Sequence, residues 1–357
     1  MVKIAIVITV GLLVAGVLAA CTEVGYYAQC ARGHLDVMRR CRPIGELLVD
    51  QSLPETRRQQ LERISRARDF ASAQLGLPDN GSYRQFADVE RPYVVWNVVA
   101  APEFSLQAKQ WCFPVAGCVS YRGYFDEAAA RSEAERLAAA GFETDVYGVQ
   151  AYSTLNWFDD PVLNTFLDGP ELRAVALVFH ELAHQVVYVA DDSRFNEAFA
   201  RTVELEGVRR WLAHHGTASD WQQYQEQARR SELLQALLQR TRKQLAALYE
   251  RPAPVGELRA AKQKIVADTA RDYADLKASW GGYGGYDAWM ARGFNNARLA
   301  SLATYHDLVP AFQGLLEAVG GDLPAFYARV GELGSLPSAE RLAKLDGYAA
   351  KVQAKAG

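Results

Sequence analysis

The stretch from Glu171 to Val189 reads ELRAVALVFHELAHQVVYV, and twelve residues beyond His184 the chain continues Asn196-Glu197-Ala198-Phe199-Ala200. Apolar residues at Leu172, Val175, Ala176, Phe179, Leu182, Ala183 and Val186 recur at the alternating three and four spacing of a helix with one buried face. Pro170 suits the position just ahead of a first turn, and Asp168 and Glu171 place negative charge near the helix N-terminus. A helix closes a turn every 3.6 residues, so His180 and His184 project from one face and can share one ion. Glu181 stands about a quarter-turn round, within reach of a water on that ion without being a ligand.

Asp191-Asp192-Ser193 reads as a turn, with a second helix starting near Phe195 or Asn196. A short loop between the helices brings Glu197 back beside His184 as the third ligand. Glu204 competes for that role, but it lies about two turns, or ~10 Å, further along nearly the same face. Both cannot bind one ion, so Glu204 is expected to orient a ligating histidine instead. His180, His184 and Glu197 form the donor set of a catalytic Zn2+ site with one open position. There the metal lowers the pKa of water and Glu181 takes its proton.

The fold class expected is α+β and predominantly helical, with a small sheet preceding the HExxH helix. Ser52 to Gly76 reads as an amphipathic helix, with Pro54 near its first turn and Gly76 as its stop. Tyr93–Ala100 reads as a buried strand, Val115–Phe125 as another, and Glu143–Tyr152 as a third after a helix over Asp126–Ala140. Beyond the second motif helix, which runs to about His214, two long polar helices at Ser219–Tyr249 and Glu257–Ala278 form a helical hairpin, divided at Pro252 and Pro254. Trp280-Gly281-Gly282-Tyr283-Gly284-Gly285-Tyr286 is a glycine-aromatic loop suited to close backbone approach or a mobile lid. It lacks the lysine of a phosphate loop. Asn295 and Asn296, on an otherwise apolar helix, indicate a buried polar network, either structural or lining a cleft. The tail from Gly320 reads as short helices that close the core.

The chain has 357 residues, half of them hydrophobic, enough for a substantial core. A formal charge of −3 gives no electrostatic case for nucleic acid, and oligomeric state is not legible. Lys3 followed by an uncharged run to Ala20 has the order of a secretory signal. Leu18-Ala19-Ala20-Cys21 resembles a bacterial lipobox, which implies removal of residues 1–20 and acylation of Cys21. The competing readings are an uncleaved membrane anchor and a plain signal peptide. An acylated Cys21 anchors the chain to a lipid membrane without spanning it, in the bacterial cell envelope, facing the periplasm at the outer membrane. Residues 21–50 then form a polar, irregular, membrane-proximal segment, and 51–357 the main domain. Cys30, Cys41, Cys112 and Cys118 remain, an even number in an oxidising compartment. Of the three possible pairings, Cys30–Cys41 with Cys112–Cys118 is favoured because both close short loops.

HELAHQ followed by FNEAFARTVE resembles the zinc aminopeptidases in which HExxH precedes NEGFA by a longer spacer. That resemblance implies a zincin-like fold of the gluzincin type, with Glu197 as the third zinc ligand and Glu204 as its companion. The whole mature chain also resembles a bacterial family of predicted aminopeptidases. Its runs match at Cys118–Phe125, Ala151–Leu155, Trp157–Pro161 and Phe294–Ala297 continuing to Tyr305. What this implies is a membrane-anchored zinc peptidase acting on peptides. Tyr305, Tyr283, Tyr286, His306 and Tyr152 are candidates to stabilise the oxyanion. Tyr305 is preferred because it lies in a matching run. The large aminopeptidases hold the substrate amine with a Glu in a strand upstream of the zinc helix. Gly148–Ser153, the candidate substrate-binding edge here, has none, although it also reads as a core strand with a glycine bulge. Asp159, Asp160 or Glu103 could substitute. An envelope endopeptidase is the competing enzymatic reading, and a zinc-retaining scaffold lipoprotein the non-enzymatic one.

Overall fold

The computed structural model describes residues 23–113, 117–154, 157–301 and 308–356, the last seven of these by backbone only. Cys21, Tyr305 and His306 lie outside the described residues. The chain is α+β and predominantly helical, at 64% helix, so helices rather than sheets build the main core.

Helix α1 (23–40) leads through β1 (Arg42–Pro43) and α2 (Ile44–Val49) into α3 (Glu55–Leu75). Strands β2 (Gln85–Ala87), β3 (Val95–Pro102), β4 (Trp111–Phe113), β5 (Gly117–Val119) and β6 (Arg122–Tyr124) follow. Next come α4 (Glu127–Ala139), β7 (Phe142–Val149), β8 (Val162–Leu163), α5 (Asn164–Leu167), α6 (Glu171–His184) and α7 (Ser193–His215). The rest is helical: α8 (Ala218–Tyr249), α9 (Val255–Ser279), α10 (Asp287–Ala291), α11 (Asn296–Ser301), α12 (Val309–Ala318), α13 (Leu323–Gly334) and α14 (Ser338–Ala356). No helix among the described residues is long and apolar enough to cross a membrane.

Strands β6, β3 and β7 form an antiparallel sheet in that order, with β3 and β7 in register from Val95↔Val149 to Pro102↔Phe142. One face of β3 packs Trp96, Val98 and Ala100 against Ala130, Ala134 and Leu137 of α4. The other face carries Val95, Asn97 and Val99 toward α6 and α11. The expected strand over Val115–Phe125 is two strands, β5 and β6, and the strand expected to reach Tyr152 stops at Val149.

The segment before residue 50 is helical, not irregular. Tyr26, Cys30, Gly33 and Val37 fall four, three and four residues apart, so they share one face of α1. Val37, Ile44 and Leu47 enter the same core as Leu61 and Ile64 of α3. That helix also overturns the Cys30–Cys41 pairing. Eleven residues of helix rise about 16 Å, beyond any disulfide's span, and both thiols are free. Cys112–Cys118 is bonded and ties β4 to β5.

Helix α6 ends at His184, earlier than its apolar pattern suggests. The β-branched run Val186, Val187 and Val189 that follows has stiff side chains that weaken helix propensity. Asp192 caps α7 by accepting from the Phe195 N–H at 3.0 Å, so the second helix starts at Ser193. Phe179 packs on Phe70 of α3, while Phe199 meets Phe312 and Phe326. Gly207 of α7 allows the close crossing, since a Cβ there would stand 2.7 Å from the Phe179 ring and 2.9 Å from Leu75. Two apolar walls therefore clamp α6 and α7 and leave one shared polar seam.

Candidate metal centre

That seam carries His180, His184 and Glu197. The two Nε2 atoms lie 3.2 Å apart, His180 Nε2 is 3.3 Å from Glu197 Oε2, and His184 Nε2 is 3.8 Å from Glu197 Oε1. Two donors each ~2.1 Å from a tetrahedral ion stand ~3.4 Å apart. Those separations, two of them to different oxygens of Glu197, lie close to the edge length of a zinc site, and the residue types suit the ion as well.

Asn196 explains how a neighbouring helix delivers Glu197 so accurately. Its side chain is buried; Oδ1 accepts from the Val189 N–H at 2.8 Å and Nδ2 donates to the Val189 carbonyl at 2.7 Å. One amide thus pins the loop leaving α6 to the first turn of α7. Sequence reasoning missed this role, although the residue stood inside the motif. Behind His180, Glu204 Oε2 accepts from Nδ1 at 3.2 Å, and Arg201 in turn pairs with Glu204. Such a contact orients the ring so that Nε2 faces the seam.

The electrostatics of the chain's own groups are strained. Burial lifts the Glu181 carboxyl to about 7, with His180 opposing and Glu197, Asp160 and Glu204 adding to the rise. Burial holds His184 down to about 4, helped by His180 and opposed by Glu197. For His180 burial works downward, but the Glu197 and Glu204 carboxylates overcome it and raise the imidazole well above its usual range. Burial works against ionised Glu204, yet His180 and Arg201 keep it below the ordinary carboxylate range. Competing charges this close are what a cation would relieve.

The seam opens on a cavity of about 830 Å³, floored by Asn97, Val99 and Tyr147 of the sheet and walled by α6. A family model described as "Putative aminopeptidase" matches residues 25–345. The chain belongs to that family. No curated protein and no solved structure matched it.

Within this family member the other expected residues separate clearly. Tyr152 lines the cavity, with its hydroxyl 2.8 Å from His34 Nδ1. Tyr283 and Tyr286 lie elsewhere, in the glycine-aromatic loop, which packs on the α8–α9 hairpin, where Arg230 covers the Tyr283 ring. Asn295 and Asn296 are structural. Asn295 Nδ2 donates to the Thr144 carbonyl, and buried Asn296 donates to the carbonyls of Pro102 and Glu103. Together with Arg292, which donates to the Val146 carbonyl, Asn295 occupies part of the outer edge of β7. The candidate edge Gly148–Ser153 lies beyond that part, and Val149, Ala151, Tyr152 and Ser153 line the cavity.

The three carboxylates considered for a substrate amine do not reach the cavity. Glu103 pairs with Arg259. Asp160 accepts from the Thr154 N–H and the Ser153 hydroxyl. Asp159 lies against Gly81. Among the described residues, the carboxylates lining the cavity are Glu181, Glu197 and Glu204 alone.

Proposed function

We propose that this chain is a zinc-dependent peptidase in which His180, His184 and Glu197 hold the ion. The observation that carries the proposal is the convergence of those three donor atoms within 4.8 Å, with Glu181 lining the same cavity. Zinc bound there would polarise a carbonyl and acidify a water. Glu181 then accepts the water's proton at a carboxylate oxygen and passes it to the departing amine. Glu204 keeps His180 oriented. The cavity's apolar walls, among them Phe113, Phe125, Tyr152 and Phe158, favour peptides with apolar side chains.

The family's name favours aminopeptidase action on the free N-terminal residue. Endopeptidase action has an observation of its own: no cavity carboxylate among the described residues is free of the metal seam to bind a terminal amine. Acylation at Cys21 and an envelope location remain part of the proposal. They are supported by the Leu18–Cys21 run and by the Cys112–Cys118 bond, which suits an oxidising compartment.

Hydrolysis of amino-acid anilides against internally quenched peptides separates exo- from endo-action. Glu181→Gln should bind zinc like the native protein and lose turnover by ~10²–10⁴-fold. Equal turnover by native and Glu181→Gln proteins would refute the mechanism. Zinc binding without turnover in a broad screen would favour the scaffold reading.

A further inference from the structure

Helix α1 carries two apolar faces, and the fold covers only one of them. The inward face is closely fitted. A Cβ on Gly33 would stand 2.1 Å from the Phe125 ring, Gln29 Oε1 accepts from the Phe125 N–H at 3.0 Å, and the Arg122 guanidinium lies 3.9 Å from the Tyr26 ring. Val37 completes that face in the main core. These contacts hold the helix at one rotation about its axis. The uncovered flank keeps Val24, Tyr27, Ala31 and Leu35 exposed at spacings of three, four and four, so they form one stripe. Val24 is 68% exposed, Tyr27 46% and Leu35 52%.

The stripe continues onto a second segment. His34 stands seven residues beyond Tyr27, nearly in line with it, and its ring meets that of Phe158 with centroids 4.6 Å apart. Phe158 and its neighbour Trp157 are 52% and 65% exposed and both line the cavity, so they stand at its rim. One exposed apolar side chain is ordinary, whereas several large ones on adjoining segments mark an interaction surface.

Charge and chain order select the occupant. The carboxylates of α1 are neutralised, Glu23 by Arg122 and Asp36 by Arg40. Arg32 and Arg39 flank the stripe, are exposed, and make no ion pair among the described residues. Two spare cations beside an apolar stripe suit anionic headgroups lying over acyl chains. The sequence just ahead agrees, with an uncharged run to Ala20 and Cys21 two residues before the helix.

Resting on the envelope reading above, we propose that this patch docks on the lipid bilayer. Val24, Tyr27, Leu35, Trp157 and Phe158 enter the interface, and Arg32 and Arg39 meet the headgroups. Helix α1 then lies along the membrane plane, and the cavity opens beside the lipid, within reach of polypeptide segments at that surface.

The test reconstitutes the full chain in vesicles of equal parts phosphatidylcholine and phosphatidylglycerol, with ordinary or brominated acyl chains. The chain has seven tryptophans, so Trp157→Phe gives the Trp157 emission by difference. An interfacial side chain lies ~5–10 Å into the headgroup and acyl boundary, so brominated lipid should lower that emission about two-fold or more. Tyr27→Glu combined with Leu35→Glu should abolish the quenching while the protein still sediments with the vesicles through its N-terminal segment. Glu226→Ala, on the exposed face of α8, should behave as native. Sedimentation with Trp157 unquenched would overturn the docking surface and leave the anchor standing. Quenching unchanged in the doubly substituted protein would overturn it as well. Trp157 shielded from soluble acrylamide yet untouched by brominated lipid would assign the patch to a protein partner or a second copy, against the proposal. A full chain that fails to sediment would remove the docking surface and the anchor together.

Discussion

The helix pairs α6–α7 and α8–α9 are both joined by short connections, yet they handle charge in opposite ways. Along α8 and α9 most charged groups face solvent, many in pairs three or four residues apart such as Arg229 with Glu226 and Lys264 with Asp268, while the buried Lys262 pairs with Glu143 of the sheet. Between those helices the contact is leucine-rich, with Leu234, Leu237, Leu238 and Leu245 beside Tyr273. Its buried hydrogen bond between elements is neutral, Thr241 to Thr269 at 2.8 Å. Between α6 and α7 the same kind of interface encloses two imidazoles and three carboxylates. Burying ionisable groups opposes folding unless each is paired. The hairpin is therefore organised for stability, while the α6–α7 seam gathers the ionisable groups that the proposed function uses. A feature that weakens folding without serving packing marks a functional site.

Substitutions can break or sharpen that contrast, the largest first. His184→Ala should abolish zinc binding and reduce hydrolysis to background, and chelation of the native protein should reproduce the loss; elemental analysis beside the peptide assay checks both. Asn196→Ala strips the Val189 N–H and carbonyl of their buried partner. It should cost ~2–3 kcal/mol in urea unfolding and weaken zinc binding as Glu197 drifts.

Glu204→Gln keeps the shape but removes the charge behind His180. Zinc affinity should fall ~10–100-fold in a competition titration, with little loss of fold. In the hairpin, Thr241→Val should cost ~1 kcal/mol by the same unfolding assay and leave zinc and turnover untouched. Glu226→Ala, on its exposed face, should be indistinguishable from native in both stability and activity. Should the hairpin substitutions impair hydrolysis as strongly as those in the seam, the division of labour would be wrong.

Helices with a strong period were legible from the chain, because 3.6-residue spacing and caps are written within a dozen neighbouring residues. Glu55–Leu75, Glu127–Ala139, Glu171–His184, Ala218–Tyr249 and Val255–Ser279 all fall within a few residues of their expected bounds. Helix α1 was missed because Cys30 and Gly33 stand on its buried stripe, where apolar periodicity gives small residues little weight. The short strands were harder still. β5 and β6 span three residues each and join different sheets, β5 pairing with β4 and β6 with β3, a choice of partners that the local pattern does not record.

By itself the sequence determined which side chains could meet a cation, since the spacing of His180, Glu181 and His184 is a local property of one helix. It determined the helical class for the same reason. Only the tertiary structure decided that Glu197 closes the donor set while Glu204 stands behind His180. Both lie on one face of α7, and the packing of Phe179 on Gly207, with the Asn196 clasp, sets which one reaches the seam. The β4–β5 hairpin, too, was placed by a distant contact: no periodicity records a disulfide-closed hairpin docked through the Cys118 N–H on Asp191 of the loop between α6 and α7.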